Sequence, residues 1–250
     1  MEIYWLFVFF LFGITFGSFY NVVGLRVPKN IPFVNDHSHC PSCDHRLRWH
    51  ELVPVASFVW QKGTCRNCDA RISPLYPSME LVTGLLFAYS YFIFGFQLEL
   101  ITAILFISLL VIISVADIAY MLIPNKFLLF FLPLLIIMRI ISPLNPWYDM
   151  IIGAFLGFGL IALIIIVSKG GMGAGDMKLF FVLGIVLGWK QVLLTLFLAS
   201  LIGTIFGIFL KSLQKLKRRQ PMPFGPSIAI AAVISYFHGE TLLELYLSLF

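Results

Sequence analysis

Two aspartates are the residues whose type and position most clearly suggest acid–base chemistry. Asp117 closes a long apolar run and precedes the helix-breaking Pro124, and Asp176 directly follows the glycine-rich segment 170–175. Neighbouring carboxylates share a proton, so one can act as base on a water while the other donates to a peptide carbonyl. If the fold brings Asp117 and Asp176 together, they predict aspartic-protease chemistry. The alternative is that each caps a helix or faces lipid at the membrane surface.

A second set of residues surrounds these aspartates without a defined role. Glu80 begins another apolar run, where it is either functional or paired with a basic neighbour. Gly173 and Gly175 precede Asp176 and let an extended substrate approach the backbone. Lys178 either tunes the acidic pair or anchors its helix at the interface. All four remain candidates for binding substrate or cofactor, and the glycine spacing does not match a nucleotide-binding loop.

All four cysteines lie in two CxxC pairs, which predict a metal site. Two tight turns can aim four thiolates at one ion, and the tetrahedral sulfur set suits zinc. The alternatives are disulfides or a redox CxxC, which a reducing cytosol disfavours. Four thiolates close the coordination shell, so the zinc is expected to be structural, with nearby histidines outside the shell. The ligands are Cys40, Cys43, Cys65 and Cys68.

The elements that carry these residues are predicted to be membrane-spanning helices. The chain has 250 residues, is 60% hydrophobic and 12% charged, and has a mean hydropathy of +0.96, which excludes most soluble folds. Its apolar runs are long enough to span a bilayer as helices, and they lack the alternation of a barrel strand. We therefore expect an all-α polytopic membrane protein with about eight transmembrane helices. The predicted spans are Ile3–Gly24, Met79–Phe96, Leu100–Ala116, Phe127–Ile141, Met150–Ser168, Met177–Trp189, Gln191–Leu210 and Ser227–Leu247.

The predicted organisation has three parts. Residues 1–24 form the first span, 25–78 a small cytosolic zinc-binding insertion, and 79–250 a core of about seven helices. Placing the N-terminus outside leaves only Arg139 and Lys190 on the outer side, in accordance with the positive-inside rule. Both the insertion and the two aspartates then face the cytoplasm. The net charge of +5 therefore reports membrane orientation, and no nucleic-acid partner is expected.

The order of these motifs resembles the bacterial type IV prepilin peptidases, a family of GxGD membrane aspartyl proteases. Asp117 with 123–125 resembles the first catalytic motif, and 173–176 with Lys178 resembles the second. The first span at 17–23, the CxxC pairs, the segment 74–77 with Glu80, and the proline-rich segment 223–226 also match family motifs. The resemblance covers nearly the whole chain.

The resemblance implies an activity that the residues alone do not specify. A family member cuts the leader peptide of a type IV pilin-like precursor after a glycine, at the cytoplasmic face of the bacterial inner membrane. It commonly also N-methylates the new N-terminus with S-adenosylmethionine, for which the sequence gives no independent sign. Two other functions stay open at this point: a proton- or ion-coupled transporter, and a non-enzymatic scaffold that docks a partner through its zinc module.

Overall fold

A computed structural model describes residues 2–32, 38–40, 42–169, 171–212 and 222–248. Within these residues the chain is helical, with two isolated β-bridges and no strands. The all-helical prediction is therefore confirmed. The eight helices are α1 (Glu2–Arg26), α2 (Ala56–Trp60), α3 (Leu75–Phe94), α4 (Leu98–Tyr120), α5 (Asn125–Ile141), α6 (Asp149–Val167), α7 (Ala174–Ser212) and α8 (Gly225–Leu247), with short 3₁₀ helices η1 (Val27–Lys29) and η2 (Trp49–Glu51).

Six of the described helices are long and apolar enough to cross a membrane. They are α1, α3, α4, α6, α7 and α8, and α5 adds an apolar helix of 17 residues. The element α7 is 39 residues long and contains a break at Gly188, so it supplies two of the predicted spans. The predicted spans place this break two residues later, at Lys190. The chain is thus a multi-pass membrane protein, and the expected spans each have a counterpart.

The break in α7 depends on a backbone conformation that other residues avoid. Gly188 has φ 79° and ψ 175°, a region that is essentially restricted to glycine. Where a helix breaks, the backbone carbonyls just before the break lose the amide donors of the next turn. Within a membrane these carbonyls must accept hydrogen bonds from other groups. Arg139, at the end of α5 and only 4% exposed, donates from Nε to the Val186 carbonyl at 3.0 Å. Arg139 therefore caps the helical segment that ends at the break.

The chain divides into two compact units, Met1–Val115 and Ala116–Phe250. In the first unit α1 packs along α3, and glycines allow close approach: a Cβ on Gly13 would lie 2.7 Å from the Gly84 Cα. Small residues at helix interfaces are typical of membrane proteins. The buried hydroxyls of Tyr20 and Ser108 share a hydrogen bond of 2.6 Å. The insertion between α1 and α3 belongs to this unit.

The second unit contains the end of α4 and helices α5 to α8. In this unit α7 packs against α5, α6 and α8. Fully buried aliphatic and aromatic side chains fill the spaces between these helices, among them Leu135, Ile161, Phe180 and Ile228. The loops that enter α5, α7 and α8 supply the residues described next.

Candidate active site and metal centre

Asp117 lies in the last turn of α4 and is buried, with 6% of its surface exposed. Its Oδ2 accepts a hydrogen bond of 2.7 Å from the backbone amide of Gly225. Gly225 is the first residue of α8, and Pro226 follows it in the first turn. Free amides and the helix dipole make a helix N-terminus a favourable place for a carboxylate. The start of α8 therefore fixes the orientation of Asp117.

Asp176 lies in the first turn of α7 and is also buried. Its Oδ2 accepts a hydrogen bond of 3.1 Å from the Gly173 amide, and its own amide donates to the Gly173 carbonyl at 3.1 Å. The side chain and the backbone amide of Asp176 thus both bond to Gly173, in the turn that precedes the helix. As with Asp117, an amide at the beginning of a helix is the polar partner of a buried carboxylate.

Asp117 and Asp176 both lie in the second unit, on segments that touch each other. The segment between α4 and α5, which follows Asp117, contacts the start of α7, which carries Asp176, through Ile123 and Asn125. Both amide hydrogen bonds engage Oδ2. Two buried carboxyl groups at the ends of contacting segments, each with one oxygen already bonded, are candidates for a pair that shares a proton.

The residues around Asp176 have separate contacts. A Cβ on Gly175 would lie 2.9 Å from the Ile123 Cβ, so this position packs tightly against the segment before α5. Lys178 Nζ donates to Asn125 Oδ1 at 3.0 Å. Both residues line a largely apolar cavity of about 490 Å³ between α5, α6 and α7. Because positions two apart on a helix point in different directions, Lys178 faces this cavity while Asp176 faces its own amide partner.

Glu80 lies in the first unit, where it joins α3 to the insertion. Its buried Oε2 accepts a hydrogen bond of 2.7 Å from the Val55 amide, and its carboxylate also bonds the Ser18 side chain. Val55 has φ 61°, an uncommon value for a β-branched residue. Among the described contacts, the partners of the Glu80 carboxylate are therefore a backbone amide and a serine hydroxyl. The basic neighbour considered above is not one of them.

The four cysteines form a compact cluster in the insertion. All four Sγ atoms lie within 4.8 Å of one another, and Cys40 Sγ is 3.8 Å from Cys68 Sγ. A tetrahedral zinc site with bonds of about 2.3 Å has sulfur–sulfur edges of about 3.8 Å. The thiol geometry therefore fits a four-coordinate metal ion. The thiols are not joined as disulfides, in accordance with the prediction.

Two turns of the same design hold the cluster. In each turn, the backbone amide of the first cysteine donates to the carbonyl of the residue five positions later. Cys40 donates to His45, and Cys65 donates to Ala70. Backbone amides of Ser42 and Cys43 point at the Cys40 sulfur and lower the pKa of its thiol to about 6. These amides favour the thiolate of Cys40, the form in which cysteine binds a metal ion, whereas hydrogen bonding with the Cys43 side chain raises the pKa of Cys68 to about 12.

The nearby histidines contact acidic or aromatic side chains. His39 Nε2 lies 3.8 Å from Asp44, and His45 Nε2 lies 3.5 Å from Glu51. The Arg48 amide donates to Glu51, and this bond is the main reason that the pKa of Glu51 is lowered. His50 packs edge-on against Trp49. His37 and the basic residues 215–219 lie outside the described residues.

Two functional contacts were not predicted from the sequence. One is the Gly225 amide, whose bond to Asp117 spans 108 residues. The Gly225-Pro226 pair marks a helix start, which is a signal for an amide donor but does not identify the acceptor. The other is buried Arg139, which the charge count placed only as an outward-facing residue.

Comparison with known families covers most of the chain. Residues 11–94 match the model described as the bacterial peptidase A24 N-terminal domain. Residues 104–208 match the type IV leader peptidase family. The first match includes the cysteine cluster and Glu80, and the second includes both aspartates. A search of solved structures found no significant match.

Curated relatives align over nearly the whole chain. A protein of Bacillus subtilis (strain 168) named prepilin leader peptidase/N-methyltransferase is 44% identical, over 97% of this chain and 98% of its own length. Proteins of the same name from Aeromonas salmonicida (strain A449) and Pseudomonas aeruginosa are 34% and 32% identical, over 96% and 95% of this chain and 92% and 91% of their own lengths. The transporter alternative receives no support from these matches.

Proposed function

The chain belongs to the type IV leader peptidase family, and from this premise we propose that it is a membrane aspartic endopeptidase that removes the leader of prepilin-like precursors. The observation that supports the proposal is that the end of α4 and the start of α7, whose flanking segments touch, carry two buried aspartates, Asp117 and Asp176, each bonded to a helix-start amide. We propose cleavage after a glycine that precedes the precursor's apolar helix, as the resemblance to the family implies. That helix would remain in lipid while its leader is cut beside the acidic pair.

We assign the chemistry to the two carboxyl groups acting as one unit. With one proton between them, the ionised residue removes a proton from water as the water oxygen attacks the peptide carbonyl carbon. The protonated residue gives its proton to the carbonyl oxygen. When the carbon–nitrogen bond of the tetrahedral intermediate breaks, the amine leaves with a proton from the acid that gained one. The other carboxylate takes a proton from a hydroxyl of the intermediate, so that the carboxyl product forms and the pair again holds one proton. Because Oδ2 of each residue accepts an amide, we assign the water and the shared proton to the Oδ1 atoms.

We propose that the metal held by the cysteine cluster is zinc and that its role is structural. The sulfur–sulfur distances fit that ion, and four thiolates leave no coordination position for substrate. Zinc bound there would hold the two turns together in a segment that otherwise has a small core. Zinc therefore takes no part in the cleavage step described above.

We extend the proposal to N-methylation on the basis of the relatives' names alone. The cavity between α5, α6 and α7 does not fit S-adenosylmethionine. Its polar lining consists of Lys178 and Asn125, and a lysine would repel the positive sulfonium of that cofactor. Among the described residues, none of those that line the cavity is a carboxylate that could bind the ribose hydroxyls. We derive no methyl-transfer step from the structure.

We also propose the location and orientation of the chain. The distribution of lysine and arginine supports an N-terminus outside the inner membrane, with the insertion and both aspartates on the cytoplasmic side. A basic leader would remain on that same side, because positive segments are retained in the cytoplasm. The leader and the proposed catalytic residues would then meet without moving charge across the bilayer.

The experiment that tests the proposal uses purified full-length protein in liposomes. A synthetic precursor carries a basic leader, a glycine and an apolar helix, and mass spectrometry of the products locates the cut. Cleavage at the glycine bond supports the proposal. Ion flux without cleavage would replace it with the transporter alternative, and an inactive protein that still binds a cytosolic partner would favour the scaffold.

A further inference from the structure

An exposed group of large apolar side chains lies on the insertion between α1 and α3. Trp49 and Trp60 are each 81% exposed and Val59 is 70% exposed, while Leu52 and Val53 are exposed to a lesser extent. We call these five residues the tryptophan patch. Contiguous apolar surface of this kind marks an interaction site, since isolated apolar residues are common on surfaces but clusters are not.

The five residues form one surface because the elements that carry them pack together. The 3₁₀ helix η2 contains Trp49, α2 contains Val59 and Trp60, and the two elements contact each other. The amide of Leu52 donates to the Trp49 carbonyl at 3.2 Å. The amide of Ser57 donates to the Val53 carbonyl at 3.0 Å and so joins the intervening segment to α2.

A hydrogen bond fixes the height of the tryptophan patch relative to α3. Val55, in the middle of the segment, donates to Glu80 at 2.7 Å. Glu80 is five residues beyond Leu75, the first residue of α3, or about 8 Å along the helix. In the span predicted from the sequence, Met79–Phe96, Glu80 is the second residue, so this bond lies at the cytoplasmic end of the span. Because α1 also ends directly before the insertion, both ends of the insertion continue into the bilayer.

Positive charges flank the tryptophan patch on both sides. Arg48 precedes Trp49 and Lys62 follows Trp60 by two residues, and both cations are exposed. Residues 38–74 carry five arginines or lysines against three aspartates or glutamates. Tryptophan with neighbouring lysine or arginine is the composition that binds the interface of an anionic membrane. The aromatic rings enter the headgroup layer while the cations contact phosphate.

We propose that the tryptophan patch inserts into the headgroup layer of the bilayer and binds anionic phospholipid. The insertion then lies against the membrane instead of projecting from it. This inference does not depend on the proposed peptidase activity, because it rests on the exposure, height and charge of the patch. A soluble protein or a second copy of the chain is the competing occupant, but neither explains why the patch is fixed at the level where α3 enters the bilayer.

The experiment uses the fluorescence of the full chain in liposomes. The chain has five tryptophans, so the difference between the native protein and the Trp49→Phe/Trp60→Phe variant reports Trp49 and Trp60. One vesicle series contains phosphatidylcholine with phosphatidylglycerol, and the lipids carry bromine near the glycerol end of the acyl chain. Neutral acrylamide in the aqueous phase is the second quencher. Equal metal content in the two proteins shows that the variant retains its fold.

Brominated lipid is expected to quench the difference signal strongly. The quenching of the difference signal by acrylamide is expected to be at least about three-fold weaker than the quenching of a free tryptophan analogue in the same vesicles. Acrylamide quenching equal to that of the free analogue would overturn the proposal, because the patch would then face water. Protection from both quenchers would also overturn it, because the patch would then be covered by protein.

A second measurement keeps both tryptophans and tests the lipid charge. In the native chain, adding phosphatidylglycerol to phosphatidylcholine is expected to increase lipid quenching, and salt is expected to reverse the increase. The Arg48→Gln/Lys62→Gln variant is expected to lose this response, whereas Arg66→Gln, an exposed cation elsewhere in the insertion, serves as the control. The same response in all three proteins would contradict the anionic-lipid part of the proposal.

Discussion

At the scale of single residues, the carboxyl groups of Asp117 and Asp176 are each held by one backbone amide. Asn at either position keeps the size of the side chain but cannot exchange a proton. We expect Asp117→Asn and Asp176→Asn each to lower the cleavage rate by at least about 10³-fold, and the double variant to be little worse. Exposed Glu240→Gln, in the same unit, is the control. Substantial turnover in either single variant, measured on an intact precursor, would refute the assignment.

The amide at the start of α8 provides a second test at this scale. A Cβ on Gly225 would lie 2.8 Å from Asp117 Oδ2 and 3.0 Å from its Cβ, so alanine must displace the carboxyl group. A displacement of about 1 Å at a reacting group lowers rates by about 10²-fold, and we expect this loss in Gly225→Ala. Gly159→Ala, where a Cβ meets open space, should leave cleavage unchanged. Equal rates for both variants would contradict the role of this contact.

The sequence singles out the residues proposed for the site but not their hydrogen-bond partners. Asp117 and Asp176 could be identified because a carboxylate beside an apolar run needs an explanation. Gly225 could not, because any residue except proline supplies an amide and nothing in the sequence shows where it points. Glu80 was similarly ambiguous, since its acceptor role toward Val55 depends on how the insertion folds back on α3.

At the scale of elements, the cysteine turns are expected to depend on metal. The Cys65→Ser/Cys68→Ser variant removes two of four ligands and should lose the ion, together with a folding contribution on the order of 10 kcal/mol in small zinc modules. We expect about one zinc per chain in the native protein and protease sensitivity of the insertion in the variant. Elemental analysis of purified protein checks the first, and less than about half an equivalent of zinc would contradict it.

The break in α7 gives the other prediction at this scale. Alanine at position 188 would have to adopt φ 79°, and its Cβ would lie 3.2 Å from Leu144. We expect Gly188→Ala to lower stability by about 1–3 kcal/mol. Thermal unfolding in detergent measures this, with Gly159→Ala again as the control. An unchanged midpoint would show that the break tolerates a side chain.

Helix existence was easier to predict than helix boundaries. Apolar length alone identified the spanning helices, and α5 and α6 begin within two residues of their predicted starts. The break in α7 was placed near Lys190 because a charged residue is a visible interruption. The actual break is at Gly188, where the backbone conformation and the Arg139 contact decide the position.

At the scale of the whole molecule, the charge distribution predicts one orientation in the membrane. Cysteine introduced at Lys190 should react with an impermeant thiol reagent in intact cells, and cysteine at Lys126 should react only after the membrane is opened. The native cysteines should also remain unlabelled in intact cells, because the insertion is expected on the same side of the membrane as position 126. Labelling of the Lys126 position in intact cells would reverse the proposed topology.

The hydrogen bond from Gly225 to Asp117 also sets an order for biogenesis. Its partners are 108 residues apart, and the donor begins the last described helix. During synthesis α4 enters the membrane well before α8 has emerged, so Asp117 initially lacks its native amide partner. A ribosome-bound chain that ends before Gly225 would therefore lack a completed acidic pair. The nascent protein could span the bilayer without being able to cut the precursors around it.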